Sequence, residues 1–401
     1  MTHEWRRQPF RALYLGYQLL FIVFLFIPYH VVKYAPRAWR PRKSWSLQRS
    51  VGIAFVRYLG KVEEKVGSML SFPTHEAIKE GPGVKALWIN PVPELMNKQL
   101  QQWAAISGVQ PIRIPGYWMD KQGLDFTIGA PLQSGEKILY RLHGGAYTLL
   151  SSHPDDRSAK YARDLLNKCS SFRRAFSVEY RLSVGPPYPA RNPFPAALLD
   201  AIAGYAYLVN ECKYNPSDIV IAGESAGANL ALALTRYLLE CQGDSKDNVF
   251  EPPAGLILLS AWVDLSTSHV KPGLSPFLNA ESDYVSQLTP LDCYSKIAFL
   301  GPHGREGAET NEYISPASLH IDSTFYRFPR TILIAGGSEM FLDQIKTLKS
   351  RMVRDMGEGN GAGQVTYLEM PDSIHSFISW PKYEPQCTDA LLKIAEWADV
   401  F

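Results

Sequence analysis

The run Gly223-Glu224-Ser225-Ala226-Gly227 sets a serine between two glycines, directly after the apolar stretch Ile219-Val220-Ile221-Ala222 and ahead of a helix-forming run. In a G-x-S-x-G strand-to-helix turn the glycines let the backbones close up, and the serine hydroxyl is pushed out as a nucleophile. The following helix N-terminus adds partial positive charge where an anion would develop. A serine hydroxyl is a weak nucleophile at neutral pH, so a base and a group orienting that base are required. His375 supplies the base position: it lies in Pro371-Asp372-Ser373-Ile374-His375, directly after the last predicted strand. The carboxylate should fall between Ser225 and His375 at a strand's carboxyl end. Ser338-Glu339-Met340-Phe341-Leu342-Asp343 offers two candidates. Glu339 is nearer the strand and is favoured, whereas Asp343 reads as a charge at the start of the next helix. Donors for an oxyanion are expected from Gly144 and Gly145, in His143-Gly144-Gly145-Ala146, together with the amide of Ala226. His143 is read as orienting that loop.

These residues need a scaffold that alternates strands and helices. Strands are predicted at 137–142, 176–182, 219–223, 255–262, 331–337 and 364–370, with amphipathic helical stretches between them. Such alternation implies an α/β domain with a mostly parallel central sheet. Residues 51–66 and 92–106 carry helical spacing and precede it. Nearly seventy residues separate the strands on either side of Asp264 to Arg330, a length expected of a lid. The organisation read here is a membrane anchor and basic flank at 1–43, a helical cap or N-terminal region at 44–110, and a catalytic domain at 111–401 with a cap insertion near 265–330.

The anchor expectation rests on Ala12 to Val32, which contains no Asp, Glu, Lys or Arg. As a helix it would reach roughly 31 Å, the thickness of a bilayer's hydrocarbon core. Length, and the absence of a small-x-small cleavage site after it, favour a single span over a cleaved signal or a docked apolar helix. Basic residues are fewer before it (Arg6, Arg7, Arg11) than after it (Lys33, Arg37, Arg40, Arg42, Lys43, Arg49). By the positive-inside tendency that asymmetry puts the main domain in the cytosol.

The formal net charge is +2, from 41 Lys and Arg against 39 Asp and Glu, so composition gives no support for a nucleic-acid partner. Five scattered cysteines and the lack of a His-Glu-x-x-His pair point away from a disulfide framework and from a metal site. No cofactor is expected.

In its motifs the chain resembles the hormone-sensitive-lipase-like branch of the α/β-hydrolase family. The resemblance is carried by His143-Gly144-Gly145, Glu179-Tyr180-Arg181-Leu182, Phe194-Pro195-Ala196-Ala197, Asn215-Pro216-Ser217, the nucleophile pentad, Leu259-Ser260-Ala261-Trp262-Val263-Asp264-Leu265 and Ser315-Pro316. Three positions depart from the family pattern: Ala146 stands for a third glycine, Glu224 for the Asp beside the nucleophile, and Glu339 for the usual Asp acid. The resemblance extends to membrane-anchored esterases of the arylacetamide-deacetylase and fungal steryl-acetyl-hydrolase kinds. It implies a domain facing the endoplasmic reticulum lumen, against the charge count, and the facing stays open.

The expectation is therefore a serine carboxylesterase acting on small to medium lipophilic esters through an acyl-enzyme, with Tyr147 and Trp262 lining the substrate pocket. An acyltransferase with the same residues, or a non-catalytic binding protein of this fold, are the alternatives.

Overall fold

The computed structural model describes residues 4–69, 71–242, 250–380 and 383–400. Eight strands form one sheet: β1 (Lys85–Ile89), β2 (Ile114–Asp120), β3 (Lys137–Leu142), β4 (Phe172–Val178), β5 (Ile219–Glu224), β6 (Gly255–Leu259), β7 (Arg330–Gly336) and β8 (Val365–Met370). Their spatial order is β1-β2-β4-β3-β5-β6-β7-β8. From β4 to β8 all pairing is parallel, while β1 pairs antiparallel with β2 and β2 antiparallel with β4.

Both sheet faces are covered, as a parallel sheet requires. Tyr140, Ile221 and Leu258 point to one apolar core, and Leu139, Val220 and Ile257 to the other, following the period of two. The strands β5, β6 and β7 are buried at every position, which explains their continuous apolar runs. The helix Ala226–Cys241 starts directly behind Ser225 and packs on this sheet, and Leu342–Met356 follows β7.

The sheet reaches further toward the N-terminus than expected. Strand β1 falls inside the 44–110 stretch read as helical, beside the expected helices, which form at Leu47–Val66 and Lys98–Ser107. Strand β2 carries Pro115 and Gly116, ordinarily strand breakers. Gly116 is needed because a Cβ there would lie 2.8 Å from the ring of Phe176 on β4. Strand β4 begins four residues earlier than expected, at Phe172, taking in Arg173 and Arg174. The guanidinium of Arg174 is buried, donates to the carbonyls of Ala130 (2.8 Å) and Pro131 (2.9 Å) and lies 3.6 Å from Glu136, so the charge inside the strand is compensated. Strand β6 stops at Leu259, where Ser260 turns to φ +46°.

The apolar N-terminal helix runs from Phe10 to Tyr34 with a π turn at Ile22–Phe26. It is long and apolar enough to be a membrane span or a signal sequence, and it lies along the helix Leu47–Val66. The segment between β6 and β7 folds into short helices, at Ser275–Leu278, Tyr294–Leu300 and Gly304–Thr310.

Candidate active site

Ser225 occupies the turn between β5 and its helix at φ +56°, ψ −116°, a conformation that L-residues rarely adopt. Gly227 makes the turn possible: a Cβ there would lie 2.1 Å from the carbonyl oxygen of Leu142 on β3. His375 and Glu339 sit on the loops after β8 and β7, at the same edge of the sheet. The Ser225 hydroxyl meets His375 Nε2 at 2.9 Å, and His375 Nδ1 meets Glu339 Oε2 at 2.9 Å. With Nδ1 protonated, the imidazole donates to the carboxylate and accepts from the serine. All three side chains are buried. Glu339 Oε1 also accepts from the amide of Gly336 at 2.7 Å. Asp343 lies apart, in the first turn of the helix Leu342–Met356, where it accepts from the amide of Ser275.

Three buried carboxylates surround the imidazole. Burial pushes Glu339 above the usual carboxylate range, restrained by the Gly336 amide and the Ser260 hydroxyl. Asp283 is likewise pushed up, to about 6, by burial, while His375 pulls the other way. Burial raises Glu224 too, opposed first by Ser379, whose hydroxyl it accepts. For His375, burial lowers the pKa from 6.5, against the charges of Asp283 and Glu224. The imidazole is thus kept neutral, the state a base needs.

The loop after β3 brings Gly144 against Ser225: a Cβ on Gly144 would lie 3.5 Å from that of the serine. Gly145 adopts φ +98°, and a Cβ there would lie 2.1 Å from the carbonyl oxygen of Leu149. Ala146 continues at φ +52° and Tyr147 at φ +61°. Ala226 is the first residue of its helix, so its amide has no intrahelical partner. His143 is fully buried, stacks on Tyr180 at 4.1 Å, and has its pKa lowered to about 3 by burial. Its Nδ1 lies 2.7 Å from the carbonyl oxygen of Gly144. It therefore fixes the glycine loop from behind and stays uncharged.

Of the two expected pocket residues, Tyr147 donates to Asn229 Oδ1 at 2.6 Å and stacks on Phe299 at 3.8 Å. Trp262 is buried, with its backbone amide on the Ser225 carbonyl at 3.2 Å. With Met340 and Phe341 it lines a cavity of about 10 Å³, room for about one water. The Phe341 ring stands edge-on to His375 at 5.0 Å, while neither His375 nor Ser225 lines that cavity.

The sequence reading missed Asp283. Its Oδ1 accepts from the amide of His375 at 3.2 Å and its Oδ2 from that of Met340 at 2.7 Å. One carboxylate thus ties the histidine loop to the acid loop. No motif marks it, since it lies in the irregular insertion where neither periodicity nor spacing is informative. Ser260, inside the motif Leu259 to Leu265, also braces the histidine loop: its hydroxyl accepts from the amide of Ser376 at 2.9 Å. Among the described residues no group of three or more His, Cys, Asp or Glu is placed to hold a metal ion.

Residues 139–379 match the family model of the alpha/beta hydrolase fold, and the chain belongs to that family. Within it the chain is a carboxylic ester hydrolase of the hormone-sensitive-lipase-like branch. An acetyl-hydrolase of Streptomyces hygroscopicus is 27% identical over 63% of this chain and 71% of its own length. An esterase of Acinetobacter venetianus is 28% identical over 72% of this chain and 81% of its own. The crystal structure of a hormone-sensitive lipase from a metagenome library superposes with a TM-score of 0.54 and 25% identity, covering 88% of this chain and 92% of that one.

Proposed function

We propose that the protein hydrolyses short-chain acyl esters of lipophilic alcohols through an acyl-enzyme on Ser225. What carries the reading is the pair of 2.9 Å hydrogen bonds that join Ser225, His375 and Glu339 in one line. Ser225 Oγ attacks the acyl carbon while His375 Nε2 takes the hydroxyl proton. The carbonyl oxygen becomes an anion facing the amides of Gly144, Gly145 and Ala226, where each donor is worth about 2.7–4 kcal/mol. His375 then returns the proton to the departing alkoxide, and the C–O bond breaks to give alcohol and acyl-enzyme. Water repeats the cycle: its proton goes to His375, its oxygen to the acyl carbon, and the acid leaves Ser225 restored. Glu339 holds the imidazole in the required tautomer and stabilises its charged form.

A short acyl group is favoured by the name of the Streptomyces relative, an acetyl-hydrolase. Residues 265–330 act as the cap over Ser225 and His375, and the N-terminal helix holds the enzyme to a membrane. Placement at the endoplasmic reticulum follows from the resemblance to anchored esterases.

The test is hydrolysis of p-nitrophenyl acetate, butyrate and octanoate by the purified full chain. Acetate should be turned over best, and Ser225→Ala should lose activity by roughly 10⁴-fold or more. Inertness toward all three esters would overturn the reading. Preferred release of a new ester when an alcohol is added would convert it to acyl transfer.

A further inference from the structure

The N-terminal helix is built inside out relative to a helix of a soluble protein. Its polar residues Arg11, Gln18, His30 and Lys33 all lie on the stripe turned toward the rest of the chain, together with Leu15, Ile22, Phe26 and Tyr34. Three successive steps of four, from Gln18 to His30, would drift off one face of a regular helix. The wider π turn at Ile22–Phe26 holds them in line. Every exposed residue from Phe10 to Val32 is apolar, tyrosine, glycine or proline; Phe24 is 69% exposed and Val32 71%.

The stripe is fastened along its length. Arg6 donates to the carbonyl of Glu64 at 2.8 Å and Arg11 to that of Ser68 at 2.9 Å. Midway, Tyr58 donates to Gln18 and packs its ring on Phe21 and Phe26 at 5.7 and 4.6 Å. At the far end Lys33 pairs with Glu281 at 3.1 Å, and Arg57 donates to the carbonyls of Ala280 and Glu281. The helix Leu47–Val66 therefore lies between the N-terminal helix and the insertion.

A perpendicular span conflicts with this packing. If the two helices stayed together, Arg49, Arg57, Lys61, Glu63, Glu64 and Lys65 of the second would enter the bilayer. Each charge costs about 2.5–3.5 kcal/mol near the centre of the hydrocarbon. If they parted, the fastenings would be lost and Gln18 and His30 would face lipid.

We infer that the N-terminal helix lies in the plane of a membrane, flat on the catalytic unit, with its uncharged outer face sunk into one leaflet. The partner is a lipid surface, and the inference rests on the membrane attachment proposed above. An in-plane helix buries its apolar face about 5–10 Å deep. That depth keeps the charges of Leu47–Val66 at the headgroups, where the basic flanks Arg7, Arg37 and Lys43 meet anionic lipid. The whole chain then stays on one side of the membrane, and the conflict between charge count and family resemblance over its facing disappears.

The test uses the full chain in sealed membrane vesicles with a membrane-impermeant maleimide, comparing Gln8→Cys and Lys43→Cys against the wild-type background. In-plane seating predicts the same pattern at both positions: both labelled at once, or both only after detergent. Labelling of one before detergent and the other only after it would establish a span and overturn the inference. Absence of the wild-type chain from the vesicles would overturn membrane attachment itself. A second arm is Tyr17→Glu with Phe24→Glu, both on the outer face. Their combination should cut the vesicle-bound fraction by about tenfold or more, with acetate ester hydrolysis in detergent unchanged. Undiminished binding of this double variant would also overturn the in-plane seating.

Discussion

At the scale of single residues, the two carboxylates near the strand end separate cleanly. Glu339 faces the imidazole, whereas Asp343 serves the helix start and the amide of Ser275. Glu339→Ala should lower kcat by at least about 10³-fold, since removal of an orienting acid costs on that order. Asp343→Ala should leave kcat within about tenfold of the parent; steady-state kinetics on p-nitrophenyl acetate reads both. His375 makes a second prediction. Burial lowers its pKa, so the neutral base persists to more acid conditions than free imidazole allows. The acid limb of kcat/KM should accordingly fall below pH 6.5, with activity lost only as pH drops through the lowered value. Asp283 favours the charged imidazole, so Asp283→Asn should move that limb further toward acid. An amide in place of the carboxylate also weakens the tie between the loops, and kcat should fall by about tenfold or more, as for loss of about 1–3 kcal/mol from a buried charged acceptor. A limb that stays in place would refute the charge argument while leaving the folding role.

At the scale of elements, the loop after β3 carries three consecutive residues at positive φ, and only the first is glycine. Gly145→Ala would drive a methyl into the Leu149 carbonyl, so that variant should lose most of its activity through displaced amides. Ala146→Gly is the converse: the position already has φ +52°, where an L-residue costs about 1–2 kcal/mol and glycine does not. It should keep full activity and be no less stable in thermal unfolding. The same loop shows what a sequence displays. Its histidine and two glycines are visible because adjacent residues build it, and Ser225, His375 and Glu339 are visible because each follows a recognisable buried strand. Asp283 and Arg174 are hidden for the opposite reason: their partners are distant backbone groups, and a lone charge in an irregular segment or a strand leaves no periodic trace. Strands β1 and β2 leave no clear strand signal because Pro115 and Gly116 read as breakers, yet Pro115 stands at the start of β2, where a missing amide is tolerated. The apolar composition of the N-terminal helix is readable in the sequence, whereas its docking depends on a stripe made visible only by knowing where Tyr58 and Glu281 lie.

At the scale of the whole molecule, the segment after the N-terminal helix packs against the loops that carry Glu339 and His375. Arg42 donates to Ser338 Oγ at 2.6 Å and to Asn279 Oδ1, and Asn279 donates on to the Glu339 carbonyl at 2.7 Å. Arg42 Nε also lies 3.5 Å from Asp372, three residues before His375, and the buried Trp45 donates to the Asp372 carbonyl at 2.8 Å. A side chain ahead of the first strand therefore steadies both loops that carry Glu339 and His375. The boundary at residue 43 expected from the sequence cuts through this brace. A chain lacking residues 1–36 keeps Arg42 and, assayed in detergent to cover the bared face of Leu47–Val66, should retain the parental kcat. A chain lacking residues 1–43 should lose roughly tenfold in kcat, as expected when a charged donor worth about 1.5–3 kcal/mol is removed from a shared network. Arg42→Ala in the full chain should reproduce that loss with KM unchanged. Arg42→Lys should restore little of it, because an ammonium lacks the planar fork that reaches Ser338 and Asn279 together. Equal kcat in the two truncated chains would show that the loops hold their geometry without the brace.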